Sequence, residues 1–300
     1  MTNAPRQLSE PVCLWDAGAQ LGEGTWWSVR RQALWWVDIH GHQLHRFTPA
    51  TGERESWDFD ESISAVAERV DKPGLVITLQ RGLAFYDPAT GELQRRQEPE
   101  PERTGNRFND GKCDARGRFW GGSMDRGTKE PTGALYRFDR GEQATRVADL
   151  GWPVTNGPTW SLDGRTIFCN DTVRRNVYAF DFDVGPGTLS NQRLFARFGK
   201  ADGYPDGMTT DAAGRLWIAH WGGACVSCHD PADARELLRI ALPTAHITDV
   251  AFGGPSMTTL YVTSARDQLS DEQLAAQPLA GALFSVETDA LGQPPHLFAG

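Results

Sequence analysis

The chain has few cysteines, no long apolar run and no excess of basic residues. Its five cysteines are sparse for 300 residues and odd in number, which favours reduced thiols in a cytoplasm over a disulfide framework. No run of about 18 apolar residues occurs, and residues 1–11 lack the apolar core of a signal peptide. The net charge of −9 argues against a nucleic-acid surface, which needs a basic stripe. We therefore expect a cytoplasmic protein without a nucleic-acid or membrane partner, and no feature implies a protein partner.

Several catalytic signatures are also missing. The chain has neither the Gly-x-Ser-x-Gly elbow of serine hydrolases nor the His-Glu-x-x-His helix of zinc proteases. Cys225 and Cys228 form an isolated pair without a second pair, so we interpret them as strand residues rather than as a zinc or redox site. No amphipathic helices separate the apolar segments, which excludes a (β/α)₈ barrel.

The chain is rich in strand and turn residues, with 11 Trp and 32 Gly. Short apolar strands recur about every 45 residues, which is a period typical of propeller blades. They begin at Leu34, Leu75, Phe119, Ile167, Leu216 and Leu260. The pattern predicts an all-β fold, a six-bladed β-propeller of four-stranded antiparallel blades around a central channel, as one domain over residues 1–300. A pair of β-sandwiches is the alternative, but it does not explain the regular spacing.

The two ends of the chain carry smaller predictions. Residues 11–16 have no blade of their own, so we expect them to add an outer strand to the last blade and close the ring. The segment from Met1 to about Pro11 is predicted to be a loose tail. Ser270 and the acids after it predict a short helix over residues 270–276, which Pro278 would end.

A polar residue next to a glycine recurs ahead of four of the strand pairs. The copies are Glu23-Gly24, Asn109-Asp110-Gly111, Asn156-Gly157 and Asp206-Gly207. Because the innermost strands of a propeller begin at one mouth of its channel, we expect these side chains to converge there. Such oxygen ligands suit Ca²⁺, Mg²⁺ or Mn²⁺, with Zn²⁺ and Fe²⁺ as further candidates. Each dipeptide, taken singly, is also a common turn signal.

These motifs resemble a known family. Leu21-Gly22-Glu23-Gly24, Arg107-Phe108-Asn109-Asp110-Gly111-Lys112, Thr155-Asn156-Gly157 and Pro205-Asp206-Gly207-Met208 are similar to segments of the gluconolactonase family, also called the senescence marker protein 30 or regucalcin family. The resemblance runs from about Cys13 to Phe298. Thr263-Ser264-Ala265-Arg266 and Pro278-Leu279-Ala280-Gly281 look like the bacterial sugar lactonase branch.

The resemblance implies a six-bladed propeller with one divalent metal ion. It implies that Glu23, Asn156 and Asp206 bind the metal, that Arg107 and Asn109 contact the substrate, and that Asp206 is also the general base. Animal members have a substrate-contacting Glu shortly after a Gly-Thr-Met segment. Here the segment reads Gly122-Ser123-Met124-Asp125-Arg126-Gly127, so Asp125 or Arg126 is the expected substitute.

Other polar residues have two interpretations each. His220, followed by Trp221, either lines the pocket or packs within its blade, and we include it among the substrate contacts. Asp171 either faces the mouth or is a turn acid. His40 and His42 are expected at the surface near a hairpin, and most Trp residues in the core.

Together these features predict metal-dependent hydrolysis of a sugar aldonolactone, the small-molecule partner, to its sugar acid. The metal would polarise the lactone carbonyl while Asp206 activates water. The alternatives are a non-enzymatic calcium-binding or scaffold propeller, and a propeller esterase with other ester substrates.

Overall fold

The computed structural model describes residues 3–141 and 143–300, so Met1 and Thr2 of the predicted tail lie outside the described residues. Six sheets of four antiparallel strands are arranged in a ring, which confirms the predicted six-bladed β-propeller. Strands are numbered in chain order. The blades are β2 (Gly22–Ser28), β3 (Ala33–Asp38), β4 (Gln43–Thr48), β5 (Glu53–Asp58); β6 (Ile63–Glu68), β7 (Leu75–Leu79), β8 (Leu83–Asp87), β9 (Glu92–Gln97); β10 (Asn106–Cys113), β11 (Phe119–Asp125), β12 (Gly133–Phe138), β13 (Thr145–Trp152); β14 (Thr155–Trp160), β15 (Thr166–Asp171), β16 (Asn176–Asp183), β17 (Thr188–Arg197); β18 (Tyr204–Thr210), β19 (Leu216–Trp221), β20 (Cys225–His229), β21 (Glu236–Ala241); and β22 (Ile247–Gly253), β23 (Thr259–Ser264), β24 (Leu283–Glu287) with β1 (Val12–Trp15).

The ring closes through the first and last strands of the chain. The innermost strands are β2, β6, β10, β14, β18 and β22; each packs on the next, and β22 packs on β2. β1 pairs with β24 as the outer strand of the sixth blade, as predicted for residues 11–16. The chain before β1 is attached as well, since the Leu8 N–H donates to Glu287 O at 2.7 Å and Arg6 pairs with Asp289. The described part of the predicted tail is therefore hydrogen-bonded to the sixth blade, and the prediction that it is loose is wrong for these residues.

Burial falls from the inside of each blade outward. All residues of β3 and β7 are buried, because both faces of these strands pack on neighbouring blades, whereas β5 and β9 are mostly exposed. The largest fully buried side chains include Trp27, Trp35, Trp36, Trp120 and Trp217, as expected for core residues. The five cysteines are free thiols.

A repeated turn fixes the inner hairpins of the third and fifth blades, over residues 114–120 and 211–217. In the first copy, Asp114 accepts hydrogen bonds from Arg118 Nε at 2.6 Å and Trp120 Nε1 at 2.8 Å. The second copy repeats both bonds at 2.6 and 2.9 Å. These buried, charge-assisted bonds hold the two blades that carry Asn109 and Asp206.

Every innermost strand has a register shift in its first half. The shifts lie between Glu23 and Trp26, Ile63 and Ala65, Phe108 and Gly111, Asn156 and Thr159, Pro205 and Met208, and Ile247 and Val250. A β-bulge bends a strand and re-aims its side chains. Six bulges at one level of the ring therefore give that level of the channel its polar lining.

Helical structure is confined to loops. Ser270 caps α1 (Asp271–Ala276) by accepting the Gln273 N–H at 3.2 Å, as predicted, and a single 3₁₀ turn covers Lys200–Asp202. Within the described part of the chain, no helix has the length and apolar character needed to cross a membrane.

The far end of the channel lies under the C-terminal segment. The Phe298 N–H donates to Glu68 O, and the Ala299 N–H donates to Gly117 O, each at 2.8 Å. A cavity of about 230 Å³ lies at this end, and its lining includes Thr25, Lys112 and residues 293–296. The C-terminal segment therefore bridges blades that are far apart in sequence.

Candidate functional site

Two carboxylates from the first and fifth blades face the same part of the channel, and we call Glu23 and Asp206 the outer pair. Both lie at the strand bulges and are nearly buried, with 4% and 6% of their surfaces exposed. Burial raises the pKa of Glu23 well above its usual value, and repulsion by Asp206 raises it further. Burial and neighbouring aspartates likewise raise the pKa of Asp206, against a smaller lowering by Arg107. The fold thus brings together two like charges that are distant in sequence.

A chain of hydrogen bonds joins three of the predicted site residues to the backbone beside Asp206. Arg107 Nη1 donates to Asn109 Oδ1 at 2.6 Å, and Asn109 Nδ2 donates to Asn156 Oδ1 at 2.6 Å. Asn156 Nδ2 then donates to Thr172 Oγ1 at 2.9 Å, and this hydroxyl donates to Pro205 O at 2.8 Å. These hydrogen bonds therefore link the third, fourth and fifth blades. The last acceptor, Pro205 O, lies one residue before Asp206.

The hydrogen bonds of this series all donate in the same direction, from Arg107 toward Pro205, and this fixes the orientations of the two side-chain amides. A guanidinium can only donate, so the oxygen of Asn109 must face Arg107, and its NH₂ group must face Asn156. Asn156 in turn presents its oxygen to Asn109 and its NH₂ group to Thr172. An amide oxygen has two acceptor positions, so Asn156 Oδ1 keeps one for a further partner.

A second group of charges lies on two other innermost strands, β10 and β22. Asp110 and Asp249, which we call the inner pair, are 2% and 0% exposed. Lys112 Nζ lies 3.6 Å from Asp249 Oδ1 and donates to Met208 O. Asp249 Oδ2 accepts from both the N–H and the hydroxyl of Thr25, each at 2.8 Å. Since Thr25 and Lys112 also line the far-end cavity, the inner pair lies between the outer pair and that cavity.

The inner pair was only partly found from the sequence. Asp110 was named, but Asp249 was missed because no glycine follows it in Thr248-Asp249-Val250. Its position at the bulge of β22, ahead of the strand that begins near Leu260, was the available signal. The glycine that makes room for it is on the neighbouring strand: a Cβ on Gly207 would lie 2.2 Å from Asp249 Oδ1.

The predicted substitutes for the family's Glu lie at the mouth. Asp125, Arg126 and Arg107 line a cavity of about 580 Å³ together with His40 and His42. Burial acts to raise the pKa of Asp125, but hydrogen bonds from the backbone of residues 127–130 outweigh it and hold the pKa below its usual value. The Asp125 carboxylate is therefore bound to its own loop, while both histidines lie at the β3–β4 hairpin, as expected.

His220 is engaged inside the fifth blade. Its Nε2 lies 2.6 Å from Ser227 Oγ, and its ring packs edge-on against Phe198. Burial, followed by the charge of Arg239, lowers the pKa of His220 to about 4, so the ring is neutral at pH 7. These contacts match the packing interpretation, and the neighbouring Trp221 stacks on His246.

Asp171 lies at the end of β15, where it accepts a hydrogen bond from Arg174 Nη1 at 2.7 Å. Burial raises its pKa, against a lowering by Arg174. Its carboxylate is thus engaged by the arginine of its own turn.

The outer pair and Asn156 have the chemistry of a site for a hard cation. No three Asp, Glu, His or Cys side chains within residues 3–141 and 143–300 form a metal-binding group by themselves. The predicted set differs because its third member is an amide. The Asp206 carboxylate accepts no hydrogen bond from any described residue, and buried like charges are stabilised by a cation between them. Carboxylate and amide oxygens are ligands that Ca²⁺ accepts, so these residues fit a divalent cation.

Known proteins resemble the chain over nearly its full length. It is 38% identical to an L-arabinolactonase of Azospirillum brasilense over 97% of this chain and 96% of that protein, and 34% identical to a regucalcin of Danio rerio over 96% and 98%. A crystal structure of a calcium-binding protein, regucalcin, from Agrobacterium tumefaciens superposes with a TM-score of 0.92 at 28% identity and covers 100% of both chains. A family model described as the SMP-30/gluconolactonase/LRE-like region matches residues 21–266, and the chain therefore belongs to this family.

Proposed function

We propose that this protein hydrolyses a sugar aldonolactone to the corresponding sugar acid, with a divalent cation bound by Glu23, Asn156 and Asp206. The observation that carries the proposal is the Asp206 carboxylate, which is nearly buried beside Glu23 and accepts no hydrogen bond from a described residue. The relative named as an L-arabinolactonase supports lactone hydrolysis.

The site residues divide the work of this mechanism among them. Asp206 takes a proton from the attacking water, because its carboxylate accepts no hydrogen bond from a described residue and keeps an oxygen free for that proton. Arg107 orients the ring hydroxyls, because only its Nη1 is hydrogen-bonded to described residues. Asn109 holds Arg107 and Asn156 in register. Bound at the outer pair, a divalent cation would supply Lewis-acid polarisation of the lactone carbonyl.

Asp125 and His220, two of the predicted substrate contacts, have weaker structural support than Arg107. Asp125 lines the mouth but its carboxylate accepts backbone hydrogen bonds from its loop. His220 is bound within its blade. We propose Arg107 and Asn109 as the substrate contacts: Arg107 keeps free donors, whereas Asn109 keeps only the second acceptor position of its Oδ1.

The test is a panel of γ- and δ-aldonolactones in a pH-stat, since lactone opening releases acid. The protein is first treated with a chelator and then given back Ca²⁺, Mn²⁺, Mg²⁺, Zn²⁺ or Fe²⁺ separately. We expect turnover above the spontaneous rate only after cation is restored. Turnover that survives chelation would contradict the cation's role.

A calcium-binding protein without catalysis is the second candidate, because a solved relative carries that description. It predicts cation binding by calorimetry but acid release at the rate of the protein-free blank. A propeller esterase, the third candidate, would prefer aryl esters over sugar lactones in a side-by-side assay.

A further inference from the structure

The mouth cavity has a basic lining, although the chain as a whole has a net charge of −9. Its volume of about 580 Å³ is ample for a substituted sugar ring. The side chains around it come from the first three blades and are His40, His42, Ser62, Arg107, Asp125 and Arg126. Two guanidiniums thus face one cavity that contains a single carboxylate.

Arg107 is held at the inner wall of this cavity with most of its donors unused. It is 6% exposed, and its Nη1 donates to Phe108 O at 2.9 Å and to Asn109 Oδ1 at 2.6 Å. Its Nε and Nη2 make no hydrogen bond with a described residue. A guanidinium has five N–H donors in a planar fork, so Arg107 keeps a face for a ligand.

Arg126 lies at the outer wall, just after β11. Its backbone N–H donates to Gly105 O at 3.0 Å, which anchors the residue, whereas its exposed guanidinium makes no hydrogen bond or ion pair with a described residue. Burial lowers the pKa of Arg107 to about 10 against the raising effect of Glu23 and Asp206, and the charge of Arg126 lowers it further. Two like charges that face one cavity repel, and an anion between them relieves the repulsion.

The neighbouring acids are engaged elsewhere. Asp125 Oδ2 accepts the backbone N–H groups of Lys129 and Glu130 at 2.9 and 3.0 Å. Asp267 Oδ2 lies 3.3 Å from His40 Nδ1. Neither carboxylate forms an ion pair with Arg107 or Arg126.

We propose that the mouth selects lactones that carry an anionic group, a carboxylate, sulfonate or phosphate, on the carbon remote from the ring carbonyl. This inference rests on the proposed lactonase function. Arg107 lies between the outer pair, where the carbonyl reacts, and Arg126, so a substrate that reaches from one to the other presents its far end to Arg126. Arg126 binds that end by charge-assisted hydrogen bonds, and the charge of Arg107 on the inner wall adds to the attraction.

The test compares D-glucaro-1,4-lactone, which has a carboxylate at carbon 6, with neutral D-glucono-1,4-lactone. A second arm uses 6-phosphogluconolactone, and a third a 6-sulfonate, to distinguish the three anions. We expect kcat/KM for at least one anionic lactone to exceed that for the neutral lactone by about tenfold, the scale of one charge-assisted hydrogen bond. The ratio should fall as ionic strength rises, because Arg126 is exposed.

The variants Arg126→Gln and Lys129→Gln remove the same charge from the same loop, but only Arg126 lines the cavity. The anionic-to-neutral ratio should fall about tenfold in Arg126→Gln and stay unchanged in Lys129→Gln. Equal or better turnover of the neutral lactone, or an equal loss in both variants, would overturn the inference alone. Hydrolysis of no lactone at all would reject the proposed function, and the inference with it.

Discussion

The outer and inner pairs of channel acids are both buried, but among the described residues only the inner pair forms an ion pair with a cation of the protein. Lys112 lies 3.6 Å from Asp249, and Asp249 together with Asp110 raises its pKa against the lowering effect of burial. Glu23 and Asp206 have no ion-pair partner among the described residues. Arg107 lowers the pKa of Asp206 without forming an ion pair with it.

The ion pair separates the charges that support the fold from those that are free for chemistry. Asp249 has one oxygen hydrogen-bonded by Thr25 and the other beside the ammonium group of Lys112, so its carboxylate contributes to the fold. A buried carboxylate that accepts no hydrogen bond keeps its oxygens for a cation or a proton. The ring of innermost strands thus has a reactive level near the mouth, from β2 and β18, and a structural level below it, from β10 and β22.

The largest expected effect is the loss of turnover in Asp206→Asn. The amide cannot accept the proton of water, and general-base catalysis is typically worth about 10²–10⁴-fold, so we expect kcat to fall about 10³-fold. Asp171→Asn, a buried aspartate bound to Arg174, is the matched control and should retain turnover. Comparable losses in the two variants would mean that Asp206 acts through folding.

The next largest effect is on stability, in Lys112→Met. The variant leaves Asp110 and Asp249 without their cation, and removing one partner of a buried ion pair costs about 3–5 kcal/mol. The free energy of unfolding from urea titration should fall by this amount. Adding Asp249→Asn should restore part of the loss, because one of the two unpaired charges is then removed. An unchanged stability would remove the distinction between the two pairs.

Glu23→Gln should weaken cation binding with a smaller effect on the fold. Replacing a charged ligand by a neutral one should lower the Ca²⁺ affinity, measured by calorimetry, at least about tenfold. Even mutation of residues that only hydrogen-bond to metal ligands lowers metal affinity by about that factor. Tm without added cation should not decrease, because the substitution removes a repelling charge. Unchanged Ca²⁺ affinity would place the cation elsewhere.

The smallest effect is a pH dependence of the cation's stabilisation. Burial and repulsion raise the folded-state pKa of Glu23 and Asp206, so their contribution to the stability of the chelated protein is fully present below about pH 4, the ordinary carboxyl range. This contribution is lost as pH rises through the folded pKa. Added Ca²⁺ should therefore raise Tm more at pH 8 than at pH 5, by about 2–4 °C per kcal/mol of extra binding. Equal shifts at both pH values would contradict uncompensated acids in the outer pair.

Much of the fold and part of the site could be predicted because they depend on local patterns. Apolar strands and Pro/Gly turns at a regular spacing predicted the six blades. Glu23, Asn156 and Asp206 could be named because each precedes a glycine at a comparable point of its blade. Asp249 lacks that neighbour, since the residue that makes room for it, Gly207, belongs to another strand.

The orientation of individual side chains could not be predicted. His220 follows a strand in the same way as a pocket residue would, yet its ring is bound by Ser227 inside the blade. Asp125 was named as a substrate contact, but its carboxylate accepts hydrogen bonds from the backbone N–H groups of its own loop. Which face a polar residue uses depends on the bulge and on the neighbouring blade, and neither is visible in a local pattern.

Turn chemistry and strand periodicity are local, so the residue pattern alone predicts the ring of six blades and the residue types at their inner ends. The pairing of Lys112 with Asp249, and the lack of an ion pair at Asp206 among the described residues, depend on the tertiary structure. The reason is physical: the pKa of a buried carboxylate depends on charges a few ångströms away, and in a closed ring those charges come from strands more than a hundred residues apart.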